Sequence, residues 1–289
     1  MPLNCLDGRV IPLQGQREAL EALSLAGGVG AAWAGNSTVH LQIPGSRAAL
    51  SAGVRALLER VHAPSEGLRV LCDEVYPLSE HQGKSALAEF GVPVPRGKLV
   101  PAAAAAEAAA ALGFPVVIKA SGAHLEHKTE VGGVVLNVRT AADARTAAER
   151  LAKLSDTLLV EEMLTDGVLE ILIGVIVDPQ FGQVLVLGAG GVLTEVLSDS
   201  VSLLPPWTYK SVEAALQRLT IRRLFGGYRG KPAADIRALI DTVVGVARYA
   251  SGNVSALVEL DVNPVIVRPV GLGAVAVDTM IRLRRILKE

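Results

Sequence analysis

One candidate for a chemical role is a lysine at the end of an apolar run. Lys119 follows the residues PVVI (115–118), a pattern that predicts a buried strand with an ammonium group at the rim of a sheet. An exposed ammonium there could meet a phosphate as a compact charge, and its removal would leave the fold intact. A structural or solvated lysine would give the same pattern.

The segment after Lys119 also suggests an anion site. Residues 126–134 (EHKTEVGGV) form a polar loop that reaches Gly132 and Gly133 just before a predicted strand. Paired glycines let backbone N–H groups approach an anion closely, as phosphate-binding loops require. A hairpin-like turn is the alternative, and spacing alone does not separate the two.

An acidic set near the end of the chain could hold a metal. Glu259, Asp261 and Asn263 alternate along a predicted strand, so their side chains share one face, and Asp278 follows another strand. Carboxylate and amide oxygens that leave room for water and phosphate suit Mg²⁺. An edge strand with a solvated face is the alternative interpretation.

Two further patterns match no common cofactor motif. The glycine cluster GAGG (188–191) opens no helix and so differs from the dinucleotide-binding fingerprint; a tight crossing between strands is the alternative to a binding loop. His124 and His127 are three residues apart, but a zinc site needs two more ligands, and none is evident nearby.

The predicted helices and strands must position these residues. Because helices alternate with strands along the chain, the sequence indicates an α/β or α+β fold. Ser79 begins a capping box for a helix over about 80–90, and the alanine run after Pro101 predicts a helix that ends at Gly113. Thr140 is predicted to cap another helix. The remaining predicted elements are strands over 157–160, 170–177, 183–187, 256–260 and 274–277 and an amphipathic helix over 235–249.

Composition excludes several classes of protein. The chain has 289 residues, a net charge of −1, and only four Phe, four Tyr and two Trp, which argues against nucleic-acid binding. The uncharged stretch 22–46 contains too many polar residues for a transmembrane helix, and the N-terminus does not resemble a signal peptide, so no membrane association is expected. Two cysteines, Cys5 and Cys72, favour a cytoplasmic location.

Eight motifs in one order resemble the ATP-grasp domain of the NDP-forming acyl-CoA synthetases, relatives of the succinyl-CoA synthetase β subunit. The resemblance covers about residues 77–289, which leaves 1–76 as a small N-terminal α/β segment, joined through a linker at 73–77. The motifs are PVVIK (115–119), EHKTEVGGVVLNV (126–138), LLVEEM (158–163), DPQFG (178–182), GAGGVLTEVL (188–197), GYRGKPAADI (227–236), ELDVNPVIV (259–267) and AVAVD (274–278).

The resemblance implies an ATP-grasp fold, in which two α+β lobes hold ATP, and it assigns site residues. Lys119 matches the lysine that contacts the ATP phosphates, and Gly132 and Gly133 match the loop over those phosphates. His127 matches a histidine that carries phosphate transiently. Glu161, Glu162 and Met163 match the hinge that meets the nucleotide. Glu170 matches the acidic position beside the nucleotide. Asn263 and Asp278 match the pair that holds Mg²⁺.

The function implied is that of a β-type subunit of an ADP-forming acyl-CoA synthetase. An α-type partner subunit in a hetero-oligomer would supply the CoA and ligase domains and bind the small carboxylic acid. Relatives commonly carry two cations where this chain has Ser198 and Leu203. An ATP-grasp carboxylate–amine ligase and a catalytically impaired regulatory subunit are the alternatives.

Overall fold

A seven-stranded antiparallel sheet is the larger of two sheets in the computed structural model, which describes residues 70–122, 131–191 and 199–287. Its strands are β1 (Val70–Pro77), β6 (Leu169–Asp178), β7 (Gly182–Ala189), β8 (Ser200–Leu203), β9 (Leu257–Val267), β10 (Ala274–Ala276) and β11 (Met280–Leu287). The order across the sheet is β1-β11-β9-β6-β7-β8, and β10 pairs with β9. All of these strands lie within one compact unit, Gly67–Glu289.

A four-stranded antiparallel sheet presents the lysine. Its strands are β2 (Gly97–Pro101), β3 (Val116–Ala120), β4 (Val134–Val138) and β5 (Thr157–Glu162), in the order β2-β5-β3-β4. Every residue of β3 is buried, because β4 and β5 flank it and helices cover it. The predicted mixture of helices and sheets is confirmed, with antiparallel pairing in both sheets.

Capping residues set the helix boundaries, as predicted. The helices are α1 (Glu80–Ala88), α2 (Ala105–Leu112), α3 (Ala141–Leu151), α4 (Tyr209–Leu216) and α5 (Ile236–Gly252), with short 3₁₀ turns at Ala102–Ala104 and Thr220–Leu224. Ser79 and Gln82 form the capping box of α1, and Thr140 caps α3. Helix α2 ends at Gly113, whose φ of 92° favours glycine. The helix boundaries thus follow from local sequence.

Each sheet has its own hydrophobic core. Helices α1, α4 and α5 contribute apolar residues to the core of the large sheet, and the alanine-rich faces of α2 and α3 pack on the small sheet. Small alanine side chains allow these two helices to lie close to β3 and β5. Within the described ranges, no helix has the length and apolar content needed to cross a membrane.

One prediction about local structure is wrong, and a strand was missed. Residues 73–77 were expected to be a linker, but they belong to β1, which pairs with β11. Strand β11 itself was not predicted, because Arg282, Arg284 and Arg285 interrupt its apolar pattern. The boundary at residue 76 stays a prediction. Residues 1–69, including Cys5, lie outside the described residues, as do His124, His127 and Ser198.

Candidate functional site

Lys119 lies inside the protein and is not exposed at the rim of a sheet. Its side chain is nearly inaccessible, with 6% exposure for the residue. Its Nζ donates to Glu80 Oε1 at 2.5 Å and to the Val277 carbonyl oxygen at 2.8 Å, and it lies 3.1 Å from Glu161 Oε2. Residues far apart in the chain therefore surround this ammonium group, which the local pattern of β3 does not indicate.

A second buried lysine completes a cluster of four charges. Lys84 Nζ donates to Glu80 Oε1 at 2.7 Å and to both carboxylate oxygens of Glu161 at 2.6 and 2.8 Å. We call Glu80, Lys84, Lys119 and Glu161 the buried charge cluster; it holds two positive and two negative groups. Sequence reasoning missed Glu80 and Lys84, whose i, i+4 spacing on α1 is typical of an exposed helical pair.

The two lysines respond differently to the same surroundings. Burial lowers the pKa of both, but attraction to Glu80, Glu161 and Asp278 outweighs it for Lys119, whose pKa is raised. The pKa of Lys84 is lowered by burial and by the charge of Lys119, against the attraction of the two carboxylates. The two lysines therefore differ in their electrostatic surroundings although they share both carboxylates.

The three predicted hinge residues have separate environments. Glu161 points into the buried charge cluster, whereas Glu162 accepts from Arg96, whose Nε lies at 2.8 Å and whose backbone N lies at 2.9 Å. Burial raises the pKa of Glu162, but these bonds lower it overall. Met163 donates its backbone N–H to Pro115, and its sulfur accepts from the backbone N of Asn137 at 3.2 Å. The chain after β5 is thus fixed to three neighbouring segments.

The acidic set lies on one face of β9, as predicted. Leu260 and Val262 are buried, while Glu259, Asp261 and Asn263 alternate with them on the other face. Burial and the nearby charges of Asp278 and Glu259 raise the pKa of Asp261 to about 6. The raised pKa of Asp261 marks a region where a cation is favoured.

Asp278 connects this acidic face to the lysine. Its neighbour Val277 accepts from Lys119 through the carbonyl oxygen, and Asp278 is one of the charges that raise the pKa of Lys119. The Asp278 carboxylate also accepts from the backbone N of Thr279 at 2.8 Å. The structure thus brings the predicted phosphate lysine and one predicted metal ligand together, although they belong to different sheets.

Gly191 links two other predicted site residues. Its backbone N donates to Asn263 Oδ1 at 2.9 Å, and a Cβ built on Gly191 would lie only 1.6 Å from Glu170 Oε2. A Cβ on Gly190 would lie 2.6 Å from the backbone of Ile171. The glycine cluster therefore crosses close over β6, which favours the tight-crossing interpretation, and it brings Glu170 and Asn263 to one place.

Gly132 and Gly133 are tied to the end of β3. The carbonyl oxygen of Gly133 accepts from the backbone N of Ala120, next to Lys119, at 2.8 Å. Gly132 has a φ of 70°, and its carbonyl accepts from Arg150 at 2.8 Å. The described end of the loop is thus anchored beside Lys119, while residues 123–130 lie outside the described residues.

The donor set fits a magnesium ion that takes further ligands from water or phosphate. In the described ranges, no three His, Cys, Asp or Glu side chains gather closely enough to hold a metal by themselves. Asn263 and Asp278 can each offer an oxygen ligand, within a region where Asp261 adds negative charge, whereas Glu259 is paired with Arg282 at 3.3 Å. Mg²⁺ commonly binds in this way, through one or two carboxylates plus phosphate oxygens.

Comparison with known proteins gives consistent matches. The ATP-grasp domain family matches residues 69–283. A trans-feruloyl-CoA synthase from an unknown prokaryotic organism is 37% identical over 216 residues, which cover 71% of this chain and 30% of that protein. The β subunit of acetate–CoA ligase (ADP-forming) II of Pyrococcus furiosus is 31% identical over 215 residues, which cover 71% of this chain and 91% of that subunit.

A solved structure is also similar. Acetyl-coenzyme A synthetase 1 of Ca. Korarchaeum cryptofilum, in complex with coenzyme A, Ca-AMPCP and HgCl⁺, is 30% identical, with a TM-score of 0.68. The similarity covers 80% of this chain and 99% of that one. This chain therefore spans less than a third of the synthase above, but nearly all of the Pyrococcus subunit and of the archaeal chain.

Proposed function

We propose that this chain, which belongs to the ATP-grasp family, is the nucleotide-binding module of an ADP-forming acyl-CoA synthetase. The reaction would be carboxylate + CoA + ATP ⇌ acyl-CoA + ADP + phosphate. Similarity to nearly the whole β subunit of an ADP-forming acetate–CoA ligase supports this reaction. The structural observation that carries the proposal is the contact of Lys119 with Val277, which joins a buried cation to the acidic face.

The nucleotide would lie where the two sheets meet. We assign Lys119 to the phosphates and Gly132 and Gly133 to the loop over them, because Gly133 is bonded to the end of the strand that carries Lys119. The segment Glu161–Met163 would meet the adenine through its backbone, and Glu170 would lie beside the nucleotide. Geometry at Gly191 supports placing Glu170 near the metal ligands.

Asn263 and Asp278 are the residues proposed to hold Mg²⁺. When bound there, Mg²⁺ would neutralise charge on the phosphate oxygens during transfer. Asn263 would orient its oxygen through the bond from Gly191, and Asp278 would act beside the segment that contacts Lys119. Lys119 and the bound Mg²⁺ would thereby both offset the negative charge of the transferred phosphoryl group.

His127 is proposed as a transient phosphate acceptor. An imidazole nitrogen would bond to the γ-phosphorus as the bond from that phosphorus to the bridging oxygen breaks, and ADP would leave with the bonding electrons. The substrate carboxylate would then take the phosphoryl group, and the CoA thiolate would displace phosphate from the acyl phosphate. His127 lies outside the described residues, so this assignment depends on the loop motif alone.

The CoA and acyl groups would be held outside this module. Among the relatives, one is a separate β subunit, whereas in the feruloyl-CoA synthase the matched part is 30% of a longer chain. We propose that an α-type subunit or domain supplies these functions, in a hetero-oligomer if the two are separate chains. The nucleotide-binding module itself would contribute Asp261, Glu259 and the lysines of the buried charge cluster.

The first test is a calorimetric titration of the 289-residue chain with Mg·ATP, beside the matched variant Glu74→Gln. Glu74 pairs with Arg285 on the surface, so this change should leave binding as it is. Saturable binding by both proteins is expected. A chain that is folded but binds neither ATP nor GTP with Mg²⁺ would contradict the proposed function.

The second test follows the transfer of the γ-phosphate from ATP to the chain. With γ-labelled ATP and an α-type partner, acid-labile label should appear on the chain and disappear in His127→Ala. Label that persists in His127→Ala would move the assignment to another residue. The reconstituted pair can also be offered a panel of amines or CoA as acceptors. An amide product instead of a CoA thioester would favour the carboxylate–amine ligase.

A further inference from the structure

The ammonium group of Lys119 is already engaged by acceptors of the protein itself. A lysine ammonium carries three N–H donors. Two of them are used in hydrogen bonds, to Glu80 Oε1 at 2.5 Å and to the Val277 carbonyl oxygen at 2.8 Å, and the ammonium also lies 3.1 Å from Glu161 Oε2 as an ion pair. A phosphate oxygen must therefore compete with these partners, and it binds Lys119 most strongly when one of them leaves.

The leaving partner must be a group that can stand without Lys119. A buried carboxylate deprived of its cation is strongly destabilising. Both carboxylates of the cluster, however, also accept from Lys84, at 2.6 to 2.8 Å. Lys84 can thus stay hydrogen-bonded to Glu80 and Glu161 while Lys119 turns toward an incoming phosphate, so that neither carboxylate is left without a cation beside it.

We propose that Glu80 and Lys84 are positioning residues that control the release of Lys119 to the nucleotide. Glu80 holds the ammonium inward before the nucleotide binds, and Lys84 retains both carboxylates when Lys119 exchanges Glu80 for a phosphate oxygen. No covalent bond changes in this step. The inference rests on the proposed function, since it takes Lys119 as the lysine that meets the phosphates.

Opposite effects of the two residues on phosphate affinity distinguish this role from a structural one. Glu80→Gln removes a competing negative charge and should tighten binding of the triphosphate about tenfold, the effect of one charged hydrogen bond. Lys84→Met removes one of the two cations of the buried charge cluster, so Lys119 should be held more firmly by the carboxylates and phosphate binding should weaken about tenfold. The double variant restores a neutral cluster and should bind nearly as the wild type does.

The experiment is a calorimetric titration of the full chain and these variants with the Mg²⁺ complex of the β,γ-methylene analogue of ATP. Adenosine, which lacks phosphates, serves as the second ligand, and Glu74→Gln repeats the same side-chain change at an exposed pair. Adenosine affinity should stay within about twofold in every variant. A purely structural pair would instead lower the affinity for both ligands in both single variants, and that result would overturn the inference.

A measurement on the wild type keeps the test independent of variant folding. The ¹⁵N signals of the buried lysine ammonium groups, assigned with Lys119→Arg and Lys84→Arg, should show Lys119 shifting on addition of the analogue while Lys84 keeps its signal. Binding without a change at Lys119 would overturn the partner exchange and leave the proposed function standing. Absence of nucleotide binding by the wild type would overturn both.

Discussion

Removal of Lys119 should destabilise the fold, contrary to the expectation for an exposed strand-end lysine. Lys119→Met keeps much of the apolar stem but changes the buried charge cluster from neutral to a net charge of −1. Breaking a buried ion pair on one side typically costs about 3–5 kcal/mol, because a charge remains buried and unpaired. Domains are commonly stable by only about 5–15 kcal/mol, so the loss should be a large fraction of the total.

Urea unfolding of the variants measures this cost. Lys119→Met should lower the free energy of unfolding by about 3 kcal/mol or more, and Glu80→Gln added to it should recover at least half of the loss, since the cluster is again neutral. Arg285→Met removes one cation from the exposed pair with Glu74 and should change stability by less than about 0.5 kcal/mol. If Lys119→Met unfolds at the same urea concentration as Arg285→Met, the reasoning about the buried cluster is wrong.

Three further predictions address other parts of the structure. Asp235→Ala should cost about 1 kcal/mol at pH 7, because Asp235 accepts from three backbone N–H groups, which lower its pKa despite burial. The contribution of Asp235 is lost as pH falls through that lowered pKa, so variant and wild type should converge in urea unfolding at acid pH, and a difference that stays constant with pH would refute this. Asn263→Ala and Asp278→Ala should raise the Mg²⁺ concentration needed for ATP binding; unchanged Mg²⁺ dependence would remove them from the metal site. Gly190→Ala should lower the melting temperature by several degrees, because its Cβ would lie 2.6 Å from the Ile171 backbone, and wild-type melting would contradict that contact.

Local sequence was sufficient to predict helices α1, α2, α3 and α5 and the acidic strand face, whereas α4 was missed. Ser79, Thr140 and Gly113 act on the backbone within a few residues of themselves, so their roles can be read without the fold. The alternation of Glu259, Asp261 and Asn263 likewise depends only on strand periodicity. Strand β11 was missed because its pairing with β1 and β9, over long sequence separations, decides its conformation against a run of arginines.

The buried charge cluster could not be predicted by the same means, because none of its members has a local sign of burial. Glu80 lies 39 residues from Lys119, and Lys84 lies 77 residues from Glu161, so each charge is compensated only after the helix and both strands have packed. Considered one at a time in the sequence, each charged side chain would be predicted to be exposed to solvent, since charged side chains are rarely buried without a partner. A lysine that closes a buried β-strand should therefore prompt a search for distant carboxylates before it is assigned to a ligand, and here that search leads to Glu80 and Lys84, the residues proposed to govern when Lys119 becomes available.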